Sequence, residues 1–529
     1  MHSISKLADQ KAVRPIFAAI ILVMLYQAYA IGLIPSYPTD DDGAYAAAGY
    51  QIWITGKPGV SGYKNVAGMG DDIYALGHIG AAFQGIFMKV FGVSIVTALL
   101  PSLLIGCACL VFVYLLGRQL WSAKAGALAA LFLSLSGIFF SVTHSARPDL
   151  MVTLFLLVAL WLVASARAER FFWRLLFAGL VMGLSGDVHP NGFLLAPLPL
   201  LFWIMLKRPD WRELVRATAA YGAGGGIGIL YWVATHYWPN PDAFRRQSSV
   251  HGLATHGVKF LTHGLFGSLA AEAQRYLNWF WNARGHRHLP EGLLMFASGV
   301  FLIWKGGRTG RAVVGIWALF FLIAAALMSN SFGWYLIFAW PLLALWMARA
   351  VDLIESKWLA KGAAAVIIVA YLFNLGLWHW KARQEIPMKN WLTDLRATIP
   401  AQEPVFASAG LWFAFWDRDF THEPYLPFRE IEAKLYPETG PTGWEVEQQK
   451  HGWRYIAAYG NLRRMLDPEI PIEQMLNVEQ WRNRADEVIK ARNFSLNHCT
   501  VITRFRSKEE AITVLRVNDT NLPPITNSP

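Results

Sequence analysis

Charge is scarce in this chain of 529 residues: 16% are Asp, Glu, Lys or Arg, where a soluble protein of similar length carries about a quarter. That shortage, with 55% hydrophobic residues and a mean hydropathy of +0.32, excludes an ordinary soluble enzyme and describes a polytopic membrane protein. Cysteine is scarce too. Cys107 and Cys109 lie inside an apolar run and Cys499 stands alone near the end, so neither a disulfide framework nor a Cys-based metal site is implied. There is no P-loop, and no internal repeat of the kind that builds inverted-repeat transporters. What is abundant is aromatic: 24 Trp and 32 Phe, enough to furnish the belts at two membrane interfaces. The excess of base over acid, a net charge of +11, would suit nucleic acid, but its distribution has another explanation.

Eleven apolar windows, near 15–34, 93–116, 125–142, 150–165, 174–186, 191–206, 216–235, 290–304, 312–328, 333–350 and 362–380, approach the length of a membrane-crossing helix. A further segment at 75–91, broken by glycines and a histidine, reads as a helix lying along the interface. The first window follows Lys6, Lys11 and Arg14 and contains an Ala-Tyr-Ala at 28–30. Its length makes it an anchor rather than a cleaved leader. With that N-terminus inside, the inner segments collect Arg118 and Lys124; Arg167, Arg170 and Arg174; Lys207, Arg208, Arg212 and Arg216; Lys305, Arg308 and Arg311; and Arg349, Lys357 and Lys361. The short outer loops hold only Arg147. The positive-inside rule therefore predicts N-in, C-out, and it turns the basic excess into a topology signal with no need of nucleic acid. Two long loops, 35–92 and 236–289, then lie outside. From 381 onward the sequence turns polar, and strand-like stretches at 404–415, 453–460 and 499–518 with helical ones at 388–398 and 471–492 predict a small extracytoplasmic α/β domain over 381–529.

This topology sorts the unusual residues to one face. Asp40, Asp41, Asp42, Asp71 and Asp72 lie in the first outer loop. His144, Arg147 and Asp149 open the fourth window, and Asp187, His189 and Asn191 form the outer turn between the fifth and sixth. His236, Asp242, Arg245 and Arg246 begin the second long loop. Each has a plain reading: the aspartates end a helix and hydrate a loop, Arg147 and Asp149 pair before a Pro-started helix, His189-Pro-Asn-Gly makes a turn, Arg245 and Arg246 meet lipid headgroups, and histidines 251, 256, 263, 286 and 288 are solvated. Their convergence on one side points instead to a working site there.

These residues carry a resemblance to the GT-C superfamily of membrane glycosyltransferases, in the bacterial branch similar to protein O-mannosyltransferases and lipid A aminoarabinose transferases. "DDDGAY" resembles that branch's Asp-(Asp/Glu)-x-x-Tyr motif, with Asp41 in the catalytic aspartate's place, Asp40 one register away, and Asp42 and Tyr45 supporting. "GDDIYALGHIGAAFQGIFMKVFG" takes the place of the second acidic motif, with Asp71 or Asp72 as the second acid, and "SARPDLMVTLF" resembles the Arg/Asp segment opening the fourth span. The resemblance covers about 1–380. It departs at "HPNG", where aminoarabinose transferases have a Lys-Gly turn, and at "FWDRD", where an oligosaccharyltransferase has Trp-Trp-Asp-Tyr-Gly.

What the resemblance implies is a GT-C-like domain at 1–380 in a bacterial cytoplasmic membrane that moves a sugar, with inversion, from a polyprenyl-phosphate donor to a hydroxyl of a glycan, lipid or protein. Asp41 would be the general base, with Asp40 and Asp72 beside it. Arg147, His189, Arg245 and Arg246 would receive the departing phosphate, supported by Asp71, His144, Asp149 and Asn191. Asp72 would hold a divalent cation or orient the acceptor: oxygen ligands suit Mg²⁺ or Mn²⁺, a histidine partner Zn²⁺. Repulsion among Asp40–Asp42 would raise one carboxyl toward neutrality. The alternatives are a multi-pass transporter with an acidic outer vestibule, a non-catalytic assembly or receptor protein, and a surface-glycan ligase or polymerase.

Overall fold

In a computed structural model, the described residues are 2–31, 39–64, 66–74, 77–166, 171–255, 259–282, 289–328, 333–382, 388–423, 425–476, 485–506 and 511–518. The chain is mostly helical up to about residue 400, and each apolar window coincides with helix. Among the described residues, five helices are long and apolar enough to cross a membrane: Val13–Ala30 within the first helix, Ile95–Leu120, Phe171–Val188, Gly307–Leu327 and Lys357–Leu377. A sixth crossing results if Ala123–Leu135 and Gly137–Thr143, bent by 67°, act as one. The bend has a local cause: Ser136 ends one helix and its hydroxyl caps the Phe139 N–H of the next, as N-cap serines do. Asp149–Ala164 and Asn191–Lys207 are shorter apolar helices. The windows at 216–235, 290–304 and 333–350 correspond to Trp211–Trp232, Leu289–Lys305 and Trp340–Asp352.

The two long loops expected outside are structured. Thr39 and Asp42 form a reciprocal capping box that starts the helix Asp40–Thr55, and Gly56 at φ 82° ends it, the left-handed step that glycine takes without strain. The interfacial segment is the helix His78–Phe91, which runs beside Asp40–Thr55 so closely that a side chain at Gly49 or Gly85 would strike the opposite backbone. In the second loop, Trp211–Trp232 runs into a π turn, Val233–Tyr237, and then the helix Pro241–Thr255.

The polar C-terminal part holds a five-stranded sheet of order β2-β1-β3-β5-β4: β1 (Val405–Ala407), β2 (Phe420–His422), β3 (Tyr455–Ala458), β4 (Cys499–Arg506) and β5 (Ala511–Val517). β1 is parallel to β2 and β3, whereas β5 is antiparallel to β3 and β4. The strand expectation at 404–415 is half right. After β1 the chain becomes helical over Ala409–Leu411 and Trp412–Phe415, since a short buried apolar run does not by itself choose between strand and helix. One hydrophobic core fills the helical bundle. A second joins residues of the first long loop from Ala46 to Met88, and the start of the helix Ile95–Leu120, to Trp391–Val517. The two parts meet at the C-terminal ends of the parallel strands. There a side chain at Gly43 would overlap the Ala409 carbonyl and one at Gly62 would overlap the His422 ring, while Lys64 pairs with Asp419 just before β2.

Candidate functional site

The three consecutive aspartates do different things. Asp42 is an anchor. Its Oδ2 accepts the Thr39 N–H at 2.7 Å, and its Oδ1 accepts the Ser145 hydroxyl at 2.6 Å and the Ala146 N–H at 2.7 Å. It is buried, and burial, opposed by those donors, pushes its carboxyl above the ordinary range. Desolvation is the largest cause of this shift. Asp41 stays half exposed and reaches Arg147 Nη1, whose side chain is only 6% exposed. The Asp40 side chain lies outside the described residues.

Arg147 is the centre of this cluster. Its Nε donates to Asp149 Oδ2 at 2.7 Å, and its guanidinium carbon lies 5.8 Å from the centroid of the Tyr335 ring. Asp149 is fully buried, with Oδ1 lacking a hydrogen-bond partner among the described residues. Its place in the first turn of Asp149–Ala164 favours a carboxylate. Tyr45, one turn after Asp41, feels the charges of Asp41, Arg147 and Asp149, and burial followed by Asp41 pushes its phenol well above the usual range. His189 meets the Tyr335 ring edge-on at 5.8 Å, and its Nδ1 accepts the Asn191 N–H at 3.1 Å. Thus Asp41, Tyr45, Arg147, Asp149 and His189 gather around Tyr335, a residue the sequence reading passed over inside an apolar window.

Other expected residues lie elsewhere. His144 turns inward, its Nδ1 2.8 Å from the Phe140 carbonyl and its Nε2 3.2 Å from that of Gln27, and it is stacked on Phe140. Arg246 pairs with Glu432 at 2.5 Å and lies over the Tyr436 ring. Arg245 is exposed, bonded to the Tyr237 hydroxyl at 2.9 Å. Neither arginine joins Arg147. Asp71 is exposed. The side chains of His251 and His263, and His256, His286 and His288 altogether, lie outside the described residues.

A second cluster was not anticipated as a unit. Ligand atoms of His78, Asp187 and His236 lie within 4.8 Å of one another. Asp187 Oδ2 accepts the Ile79 N–H at 2.7 Å and Oδ1 faces His236 Nε2 at 2.6 Å. His236 Nδ1 faces the Tyr74 carbonyl at 2.6 Å, and the His78 ring is stacked on His236 at 4.1 Å with its Nε2 buried and unpartnered among the described residues. His236 thus meets an acceptor at both nitrogens. Such a ring carries two protons or gives one nitrogen to a cation, and the adjacent orphan nitrogen favours the cation: two imidazoles and a carboxylate are a zinc-type donor set. Asp72 borders the cluster, bonded to Tyr74 and within electrostatic reach of His236, and burial first of all pushes its carboxyl up. Apolar cavities flank the cluster on both sides. One of about 450 Å³ is lined by Trp53, Phe83 and His78, and one of about 620 Å³ by Tyr74, Trp232 and His236. The two clusters are neighbours through the turn 187–191 and through Gly80, which packs on Pro148 and Val188.

Comparison with known proteins supports the resemblance. A family model described as dolichyl-phosphate-mannose-protein mannosyltransferase matches residues 78–238, the stretch that contains Arg147, Asp149 and all three members of the second cluster. An uncharacterized protein of Aquifex aeolicus (strain VF5) is 27% identical over 231 residues, 41% of this chain and 45% of that protein, so the match spans under half of that relative's length. ArnT from Cupriavidus metallidurans bound to undecaprenyl phosphate superposes with a TM-score of 0.63 at 13% identity, covering 97% of this chain and 99% of that one. The Archaeoglobus fulgidus oligosaccharyltransferase tethered to an acceptor peptide superposes with 0.55 at 12% identity, covering 96% and 75%. A structure of that oligosaccharyltransferase in complex with Zn and sulfate gives 0.51 at 13% identity, covering 96% and 74%. The fold is shared with ArnT and with that oligosaccharyltransferase over nearly the whole chain. It takes in the C-terminal region, for which the sequence offered no motif.

Proposed function

We propose that the protein is a glycosyltransferase that moves a sugar from a polyprenyl phosphate to an acceptor hydroxyl at the outer face of a bacterial cytoplasmic membrane, with inversion at the anomeric carbon. The observation that carries this reading is the Asp41–Arg147–Asp149 arrangement on a GT-C fold: a half-exposed carboxylate and a buried guanidinium meet at the mouths of apolar helices. The acceptor oxygen attacks the anomeric carbon and gives its proton to Asp41. The bond from that carbon to the phosphate oxygen breaks, and polyprenyl phosphate leaves with both bonding electrons. The arriving phosphate, the stronger bidentate partner, draws Arg147 from Asp41 and so frees the base where the leaving group has docked. Asp149 keeps Arg147 aimed throughout, and Tyr335 and His189 wall the site. Asp40 is the alternative base, and Arg245 and Arg246 stand outside this phosphate contact.

His78, Asp187 and His236, with Asp72 beside them, would hold a divalent cation, best Zn²⁺. A cation held there would supply positive charge to the site. The flanking cavities suit apolar chains arriving from lipid. We further assign 1–380 as the membrane domain with eleven spans, N-terminus inside, and 381–529 as the outer domain. The alternating basic residues and the polar C-terminal composition support this. Sugar and acceptor are left open. The test is release of polyprenyl phosphate by purified protein in lipid, offered a radiolabelled panel of polyprenyl-phosphate sugars with an envelope extract as acceptor source. Release from one donor, lost in Asp41→Asn, supports the reading. Activity that survives in Asp41→Asn but not in Asp40→Asn moves the base by one residue, and the absence of turnover with any donor overturns the reading.

A further inference from the structure

Gln247 is wholly buried on the helix Pro241–Thr255 and belongs to none of the groups described above. Its side-chain amide spends all its reach on one stretch of the first outer loop. Oε1 accepts the Tyr74 N–H at 2.8 Å, while Nε2 donates to the Asp72 carbonyl at 2.7 Å and the Ala67 carbonyl at 3.2 Å. The other side of Ala67 is held from the C-terminal region: its N–H donates to Glu432 Oε1 at 3.0 Å, the same oxygen that takes Arg246 at 2.5 Å. The loop needs such help. Ala67 sits at φ 50°, a left-handed conformation that alanine adopts only when its surroundings impose it, and the stretch contains little regular structure to hold its own amides.

The consequence runs through the backbone of Tyr74. Its N–H is fixed by Gln247 and its carbonyl, in the next peptide group, faces His236 Nδ1. A primary amide is the one side chain that can accept from Tyr74 N–H and donate to two carbonyls at once. We propose that Gln247 is a positioning residue: it anchors the backbone at Asp72 and Tyr74, and through the Tyr74 carbonyl helps to aim His236 Nε2 at Asp187 and holds Asp72 beside them. The C-terminal region secures the far end of the same loop through Glu432. This rests on the functional reading above only for its catalytic consequence, since the positioning itself is measurable without turnover.

The experiment is hydrogen exchange on the full-length protein in nanodiscs, with Zn²⁺ affinity measured by chelator competition and donor turnover measured in parallel. In Gln247→Ala, peptides covering 66–74 exchange about tenfold faster, the order expected for a lost buried hydrogen bond, while peptides from Ile95–Leu120 keep their protection. Zn²⁺ affinity and kcat each fall about tenfold, as for a residue that orients a ligand from behind, and KM for the donor stays within twofold. Gln247→Glu keeps the acceptor for Tyr74 but turns a carboxylate on two carbonyls, so exchange rises toward Ala67 while Tyr74 stays protected. If Gln247→Ala does not fold, Gln247→Glu and Glu432→Gln still load and release the two ends of the loop separately. Unchanged exchange over 66–74 overturns the proposal, and so does faster exchange with unchanged Zn²⁺ affinity. If wild type turns over no donor, the transferase reading fails while exchange and Zn²⁺ affinity still decide the role of Gln247.

Discussion

The Asp41–Arg147–Asp149 cluster and the His78–Asp187–His236 cluster lie on either side of the same turn, yet they are made differently. The first comes from two short segments, "DDDGAY" and "SARPDL", each packing several charges side by side. It is half open: Asp41 is 52% exposed while Asp149 is sealed. The second takes one residue from each of three helices separated by more than forty positions, is largely closed, and leaves a nitrogen unpartnered among the described residues. An open cluster with a paired charge suits groups that must change partner during a reaction. A closed one with competing acceptors suits a resident cation. That contrast can be attacked directly.

The largest effect is expected at the open cluster: Asp41→Asn lowers the rate of polyprenyl-phosphate release by about 10²- to 10⁴-fold, the range for loss of a general base, with thermal stability unchanged. Next comes the closed cluster. Stripping metal with a strong chelator, or His236→Ala, lowers turnover about 10- to 100-fold and removes the bound metal measured by mass spectrometry. Zn²⁺ restores the stripped wild type and not the variant. If chelation spares activity and no metal is found in the protein, the His236–Asp187 contact is an imidazolium–carboxylate pair and the contrast collapses. Third, Gly43→Ala drives a methyl into the Ala409 carbonyl and costs about 1–3 kcal/mol, read as a lower unfolding temperature with loss of activity, whereas Gly56→Asn, at a helix end with open space around it, changes both little. The smallest effect lies at the junction. His422 is fully buried between Tyr63 and Phe420 with no polar partner among the described residues, and burial lowers its pKa from 6.5 to about 3. A histidine lowered on folding gives stability that is present above pH 6.5 and lost as pH falls toward 3. At pH 5.5 the loss is about 1.4 kcal/mol, and His422→Phe removes that part of the acid sensitivity in thermal melts between pH 7 and 5.

How much of this was legible in the sequence follows from how each part is built. The apolar windows and the basic loops are long, repeated signals, and the helices fall where they predict. Asp41, Arg147 and Asp149 were legible because each sits in a charged motif where an apolar helix begins. Asp187 and His236 were noticed only as polar residues on the outer side, and His78 only as a break in an apolar run. Nothing local joins three such residues, because the packing of His78–Phe91 against the 187–188 backbone makes the neighbourhood. The one available signal was that all three stand at or next to the ends of apolar helices. β2 was missed because three residues in the polar run "DRDFTH" carry no alternation to count, and the helix 409–415 was misread because its residues are buried on every side.

The close approach at Gly43 also bears on how the protein comes into being. The helix that presents Asp41 is seated on residues 409–411, and Tyr50 on the same helix packs against Trp412 and Trp416. A ribosome delivers the acidic loop early and its seat several hundred residues later. At about 5–20 residues per second, the loop waits tens of seconds without the surface that shapes it. Until the last quarter emerges, the nascent chain lacks the seat of the helix that carries Asp41, and a truncated product, however well inserted, carries its aspartates on an unsupported helix.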